Sequence, residues 1–204
     1  VIQAQVPTAN LVAHYVSDSV VESSNLISQW TDISANHYNL LQSNDSKKPF
    51  YEENMINGYP LVHFDGSSDC MQVFFPDTVF QPLTIFILWR INSQAMHYII
   101  DGVDPNYGIE FGYPYSNLYN LRLYAGRPGG YNISYVKTLS DNLTLSTLVL
   151  KSQSELYDNG ILKGQSDIGS NGIDGSTPLY HLITFITTAS ESVEHRIYDC
   201  IKHT

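Results

Sequence analysis

The stretch that decides the fold of this chain is Asn57-Gly58-Tyr59-Pro60-Leu61-Val62-His63-Phe64-Asp65-Gly66. An Asn-Gly pair and an Asp-Gly pair close its two ends, and both pairs favour turns that need positive φ angles. Between them Tyr59, Leu61 and His63 alternate with a second set of residues, which is the two-residue period of a β-strand. The stretch therefore predicts turn, strand and turn, with Phe64 as a core residue of a strand that the rest of the chain must cover.

Length and composition fit a single β-sandwich domain. The chain has 204 residues, of which 43% are hydrophobic, 12% aromatic and only 15% charged. That composition fills a sizeable core and leaves a surface made mostly of Ser, Thr, Asn, Gln and Tyr. We expect residues 1–10 to be an N-terminal arm and residues 11–204 to be one domain. Since residue 1 is Val and not Met, we also expect processing or a larger parent polypeptide.

The charge balance excludes two classes of partner. Twenty acidic residues against ten basic ones give a formal net charge of −10, which repels nucleic-acid phosphates and anionic lipid headgroups. No apolar run reaches the eighteen or so residues that a membrane-spanning helix needs. We therefore expect no nucleic-acid partner and no membrane insertion.

Closely spaced strand patterns follow the first stretch. The run from Leu83 to Ile91 is branched and aromatic with hardly a polar residue, so we expect it to be central in a sheet with both faces covered. Further strands are expected near residues 97–102, 107–112, 120–125 and 143–151, and a hairpin is expected around Asn159-Gly160. Such spacing predicts an all-β, antiparallel sandwich or jelly roll.

The C-terminal region predicts one last strand at residues 179–186 and then one short α-helix. Thr188 to Glu191 fit a capping box, and four residues after it form one apolar helical stripe: Val193, Ile197, Cys200 and Ile201. Two cysteines are too few for a disulfide framework. Buried free thiols are favoured for Cys70 and Cys200 over a single disulfide between them, which stays open.

Three segments carry a family resemblance. They are Trp30-Thr31-Asp32-Ile33-Ser34, the stretch from Asn57 to Gly66, and Leu156-Tyr157-Asp158-Asn159-Gly160. In this order they resemble the W-x-D-x-S, N-G-x-P-x-x-x-F-D-G and L-Y-x-N-G signatures of laminin-G-like domains in the concanavalin A-like superfamily. The similarity covers a single domain. The resemblance implies a jelly-roll sandwich. We expect Trp30 in the core and Asp32 as a turn residue that caps the backbone after it.

Glycoside hydrolases of the same superfamily carry their carboxylates on one strand as E-x-D-x-x-E, and this sequence has no such pattern. Glu110 stands alone among aromatic residues, and we expect it to be an edge-of-sheet carboxylate and not a catalytic acid. A G-x-S-x-G nucleophile elbow is also absent, and the His63 and Asp65 pair is better explained by its strand and turn. We therefore expect no enzyme activity.

Calcium is the one cofactor that the resemblance suggests, because many laminin-G-like domains hold Ca²⁺ at the rim of the sandwich. Asp101, Asp104 and Asn106 supply oxygen ligands at loop spacing, although each is equally well explained as a turn residue. Zinc spacings such as H-E-x-x-H are absent.

Tyrosines carry the clearest functional signal. Seven of the fifteen lie between residues 107 and 135, among Gly, Pro and Asn residues that favour exposed loops. Tyrosine suits both sugar stacking and protein interfaces, although rings that cover the sheet are an equally good interpretation. The predicted ligand-binding residues are Tyr107, Tyr113, Tyr115, Tyr119, Arg127 and Tyr131.

These features predict a non-catalytic recognition or adhesion module that binds a glycan or a protein on an extracellular or surface-displayed assembly. The alternative is a structural protein of a virion or surface filament, a decoration or fibre domain whose loops contact neighbouring subunits. The expected location is extracellular, at a cell surface or at a virion surface in either case.

Overall fold

The structure is a computed structural model that describes residues 8–66, 68–77, 79–91, 97–102, 109–113, 120–126, 131–137, 140–171, 183–184, 193–196 and 202–203. These residues are almost entirely β. Their strands, in chain order, are β1 (Tyr15–Ser23), β2 (Leu26–Asp32), β3 (Leu40–Leu41), β4 (Phe50–Ile56), β5 (Tyr59–Phe64), β6 (Leu83–Ile91), β7 (His97–Gly102), β8 (Glu110–Tyr113), β9 (Asn120–Tyr124), β10 (Ile133–Val136), β11 (Ser140–Leu150), β12 (Ser154–Asp158), β13 (Ile161–Ser166), β14 (Ile183–Thr184), β15 (Val193–Arg196) and β16 (Lys202–His203). A single turn of 3₁₀ helix, Asp45–Lys47, lies between β3 and β4.

The described strands form two antiparallel sheets. The larger has eleven strands in the order β1-β2-β4-β5-β15-β6-β11-β12-β13, with β3 beside β2 and β16 beside β6. The smaller has five strands in the order β10-β9-β8-β7-β14. Antiparallel pairing throughout confirms the predicted sandwich class.

Two tight hairpins form where the sequence predicts them. Asn57 and Gly58 join β4 to β5 with φ angles of 53° and 80°, and Asn159 and Gly160 join β12 to β13 with φ angles of 49° and 76°. Positive φ at both central positions is the type I′ requirement, and it matches the right-handed twist of the paired strands. A third hairpin, at Ser24-Asn25 between β1 and β2, has the same two positive φ angles. It lacks glycine, which is why the pattern did not reveal it.

Strand β6 is central, as its sequence predicts. It pairs with β11 on one side and with β15 and β16 on the other. Leu83, Ile85, Ile87 and Trp89 are buried on one face, and the residues between them are buried or half-buried. An apolar run with no polar alternation is what a strand in this position needs.

A continuous core joins the two sheets. The Trp89 ring on β6 meets the Phe111 ring on β8 edge to face, with ring centroids 6.2 Å apart. Phe64 and Trp30 are fully buried, as predicted. Asp158 on β12 adds a polar tie, because it accepts hydrogen bonds from Ser146 Oγ at 2.5 Å, from Lys137 Nζ at 2.7 Å and from the Tyr135 hydroxyl of the other sheet.

The predicted C-terminal helix is a strand in the one part of it that the structure describes. Of residues 188–201, the structure describes only Val193–Arg196, and these form strand β15; the rest lies outside the described residues. Strand β15 pairs with β5 on one side and β6 on the other. Without it the facing backbone groups of β5 and β6 would lack partners, and satisfying them outweighs the helical pattern of the segment.

Two further details concern single residues. Cys70 is a buried free thiol, and burial raises its pKa; Cys200 lies outside the described residues. Glu110 is not at a sheet edge, since β8 lies between β7 and β9.

Within the described residues, no helix has the length and apolar character needed to cross a bilayer.

Candidate functional site

Asp32, at the end of β2, holds the loop on which the candidate site is built. Its buried carboxylate accepts four hydrogen bonds: Oδ1 from the backbone N–H groups of His14 (2.7 Å) and Ser34 (2.8 Å), and Oδ2 from the Tyr38 N–H (2.8 Å) and the Ser34 hydroxyl (2.7 Å). Charge-assisted bonds of this kind are short and strong, and they tie residues 33–38 to one buried point. The predicted capping role of Asp32 is confirmed.

Asn39 closes the same loop against the strand. Its Oδ1 accepts the backbone N–H of Asp32 at 3.0 Å, and its own N–H donates to the His37 carbonyl at 3.0 Å. His37 has a φ of 56°, a left-handed conformation that few non-glycine residues adopt. The turn therefore presents His37, Tyr38 and Asn39 together, as one wall of a groove.

Residues 72–74 form the opposite wall, and the main chain bonds it to the first. Leu41 N–H donates to the Gln72 carbonyl at 2.7 Å, and Gln72 N–H donates to the Leu41 carbonyl at 3.1 Å. The buried Gln42 side chain donates to the Cys70 carbonyl at 2.8 Å. Since these bonds join the two walls, the spacing between them is built into the fold.

The groove between the walls has a volume of about 510 Å³ and is lined by residues 37–39, 41–43 and 72–74. Small-molecule sites in proteins have volumes of about 300–1,000 Å³. Leu41 and Phe74 both line it, and each is 52% exposed. Large apolar side chains that lie together and are this exposed are typical of contact surfaces.

Several polar groups in the groove are left for a ligand. His37 Nε2, the Tyr38 hydroxyl, Asn39 Nδ2 and the Gln72 carboxamide make no hydrogen bond to any part of the chain that the structure describes. The Tyr38 ring itself is fixed, because it packs edge to face on Phe75 with ring centroids 5.2 Å apart. The groove thus combines a rigid frame with unused donors and acceptors.

A carboxylate turn precedes the second wall. Asp65 Oδ1 accepts the N–H groups of Ser68 (2.8 Å) and Asp69 (2.9 Å), and Asp69 Oδ2 accepts the Asp65 N–H at 2.9 Å. Asp69 is buried, and this burial raises its pKa to about 6. The neighbouring Asp65 charge raises the pKa further, while the hydrogen bond from the Asp65 backbone opposes the change.

Most of the tyrosine site predicted from the sequence lies outside the described residues: Tyr107, Tyr115, Tyr119 and Arg127. Tyr113 ends strand β8, and Tyr131 is 54% exposed just before β10. Tyr124 and Tyr135, from the same stretch, are half-buried on β9 and β10. The tyrosine site therefore stays a prediction.

The predicted calcium site stays a prediction, because the structure describes one of its three residues. Asp104 and Asn106 lie outside them, and the backbone of Asp101 pairs with Glu110 and Thr184 inside the smaller sheet. In the described ranges, no three His, Cys, Asp or Glu side chains are grouped so that they could hold a metal ion.

The residues considered for catalysis have other partners. Glu110 forms an ion pair with Arg122, whose Nε lies 2.9 Å from Glu110 Oε1. His63 Nδ1 lies 2.5 Å from Glu52 Oε1, across the β4–β5 pair, so its hydrogen-bond partner is Glu52 and not Asp65. These pairs act as cross-strand ties within the sheets.

No protein-family model matches the sequence, and no curated protein sequence matches it. Solved structures do share its fold. The binding domain of Paraclostridial Mosquitocidal Protein 1 superimposes with a TM-score of 0.66 at 14% identity, over 97% of this chain and 50% of that one. Domain 4 of AbnA, a GH43 extracellular arabinanase from Geobacillus stearothermophilus, in complex with arabinotriose, gives 0.64 at 17% identity, over 95% and 94%.

A third similar structure is the binding domain of botulinum neurotoxin DC in complex with rat synaptotagmin II, with a TM-score of 0.56 at 16% identity, over 95% of this chain and 48% of that one. This chain spans about half the length of the two toxin structures and nearly all of the arabinanase domain. Identities this low show a shared β-sandwich and no more. Membership of the laminin-G-like superfamily remains a prediction.

Proposed function

We propose that this chain is a non-catalytic recognition module of an extracellular protein, and that it binds its ligand in the groove between residues 37–43 and 72–74. The observation that carries the proposal is the groove itself. Unused polar groups and exposed apolar side chains face the same space, on a frame held by the mutual backbone bonds of Leu41 and Gln72 and by the Asp32 carboxylate. Rigid sites of this kind lose little conformational entropy when a ligand binds.

Binding without catalysis follows from the residues that line the groove. Hydrolysis of a glycosidic bond needs two carboxyl groups on either side of it. No Asp or Glu is among the lining residues. The buried Asp69 carboxylate is bonded within its own turn, and Glu110 is neutralised by Arg122.

The similar structures support the ligand classes and the location. One is the domain of an extracellular arabinanase in complex with arabinotriose, and another is a toxin binding domain in complex with synaptotagmin. By analogy the ligand of this chain is a glycan or a protein, met outside the cell or on a surface-displayed assembly.

Exposed apolar side chains favour the second candidate function, a structural subunit of a virion or surface filament. Val136 on β10 and Ile161 on β13 are each more than 60% exposed, at 71% and 62%. Apolar groups at such exposure suit contacts with neighbouring subunits. The tyrosine-rich stretch between residues 107 and 135 is the other surface proposed for such contacts.

Two measurements test the proposal together. Oligosaccharide and protein ligands are screened for binding, every oligosaccharide that binds is assayed for new reducing ends, and the mass in solution is measured by sedimentation. A monomer that binds without turnover supports the recognition module. Self-assembly without any ligand supports the structural subunit, and turnover of a bound oligosaccharide contradicts the non-catalytic assignment.

A further inference from the structure

From the chemistry of the groove we infer that its ligand is an uncharged saccharide, with one sugar ring stacked on Phe74. The inference rests on the proposed function and narrows it to one ligand class at one place. It uses three properties of the groove. These are its polar groups without a hydrogen-bond partner, the sign of the charge around it, and the hydrogen bonds already made by the backbone at its base.

The unused polar groups suit sugar hydroxyls. Asn39 Nδ2 is a donor, the Gln72 carboxamide is both donor and acceptor, and the Tyr38 hydroxyl is either. A sugar hydroxyl also donates and accepts, so it satisfies such a mixed set, whereas a purely apolar ligand would leave these groups unpaired on burial. Phe74 supplies an exposed ring beside them. The face of an aromatic ring is electron-rich and attracts the C–H bonds on the apolar face of a sugar.

Charge excludes acidic sugars. The lining residues include no Lys or Arg, and the whole chain carries a net charge of −10. A ligand carboxylate or sulfate in the groove would lose water without gaining a Lys or Arg partner, which is a large penalty. An uncharged ligand avoids both this desolvation and the long-range repulsion.

The backbone at Leu41 and Gln72 disfavours an extended peptide bound as an added strand. That mode needs free N–H and C=O groups along a strand edge. The Leu41 N–H and carbonyl are both bonded to Gln72, and the Gln42 N–H donates to the Ser28 carbonyl at 3.0 Å. At these residues a ligand therefore meets side chains and not free backbone groups, as in recognition of a saccharide.

The test is an array of neutral oligosaccharides (arabinan, xylan, glucan and galactan fragments) beside uronic-acid and sulfated oligosaccharides, followed by calorimetry on each ligand that binds. Phe74→Ala and Gln72→Ala are the groove variants. Phe80→Ala is the matched control, because Phe80 is also exposed and does not line the groove. Equal urea midpoints for all variants show that folding is retained.

We expect a neutral oligosaccharide to bind the wild type and Phe80→Ala equally, and to bind Phe74→Ala about ten-fold more weakly or worse. Gln72→Ala is expected to weaken binding as well. Binding of acidic oligosaccharides alone, weakened in the groove variants, would overturn the inference while the proposed function stands. Neutral binding that both groove variants leave unchanged would overturn the inference and the groove as its site, and would leave only the recognition module of the proposed function. Failure of every glycan and every protein ligand to bind would overturn both.

Discussion

Asp32 shows how one buried side chain connects the sequence motif to the site. In the W-x-D-x-S segment, Trp30 is fully buried and its Nε1 donates to the Val16 carbonyl at 2.8 Å, while Asp32 bonds the loop that follows. The motif thus has a local task, which is to turn the chain after β2 and hold it. The groove wall formed by His37, Tyr38 and Asn39 depends on that turn.

Replacing Asp32 by Asn tests this dependence. The amide keeps one acceptor oxygen but places an NH₂ group against two of the donors that Asp32 now satisfies. We expect a loss of about 2–4 kcal/mol in the free energy of unfolding, since buried bonds to a charged group are worth about 1.5–3 kcal/mol each. Urea titration measures the loss, with the exposed Asp77→Asn as control. A loss no larger than that of the control would contradict the assigned role.

Asp69 makes a prediction about pH. Its pKa in the folded protein is about 6, above its ordinary value of 3.8, so the folded state binds this proton more tightly than the unfolded state does. Its contribution to stability therefore rises as the pH falls from about 6 to about 4, and above pH 6 the buried charge destabilises the fold. In Asp69→Asn this dependence should flatten, with stability at pH 7 equal to or above that of the wild type. Parallel urea midpoints for the two proteins from pH 4 to 7 would contradict it.

At the scale of elements, local turn chemistry was predictable and the partners of short strands were not. Asn57-Gly58 and Asn159-Gly160 place their hairpins because few residue pairs accept two consecutive positive φ angles. Val193–Arg196 shows the opposite case, where a helical apolar stripe is overridden by two strands that need a neighbour. No local pattern encodes that need, because it arises from elements more than a hundred residues away.

Strands β13 and β10 approach each other closely at Gly164. A Cβ built on Gly164 would lie 2.5 Å from Cγ2 of the buried Ile133. Because Ile is stiff at χ1, the methyl group cannot move away easily. We expect Gly164→Ala to destabilise the fold by about 1–3 kcal/mol.

A double-mutant cycle separates this clash from other effects. In an Ile133→Ala background the blocking methyl is gone, so Gly164→Ala should cost at least about 1 kcal/mol less than in the wild type. Denaturant titration of the four proteins gives the coupling. Additive losses would mean that the two strands are not packed as described.

At the scale of the whole molecule, the sandwich was predictable and the groove was not. Alternation, turn pairs and the apolar run of β6 are all local signals, and they suffice for an antiparallel sandwich. The groove joins residues 37–43 to residues 72–74, some thirty positions apart, through the mutual hydrogen bonds of Leu41 and Gln72. Tyrosine density in the sequence predicts a different contact surface, between residues 107 and 135. The sequence contained one signal for the groove, which is the aromatic Phe74 close to the amide side chain of Gln72.

The most direct test of the central claim is a ¹H–¹⁵N correlation spectrum, recorded while the neutral oligosaccharide that binds best is titrated into the protein. We predict that the largest shift changes fall on residues 37–43 and 72–74, including the side-chain amides of Asn39 and Gln72, and that they saturate with one dissociation constant. Changes confined to the stretch between residues 107 and 135, with the groove resonances unmoved, would contradict the account and place the site among the tyrosines.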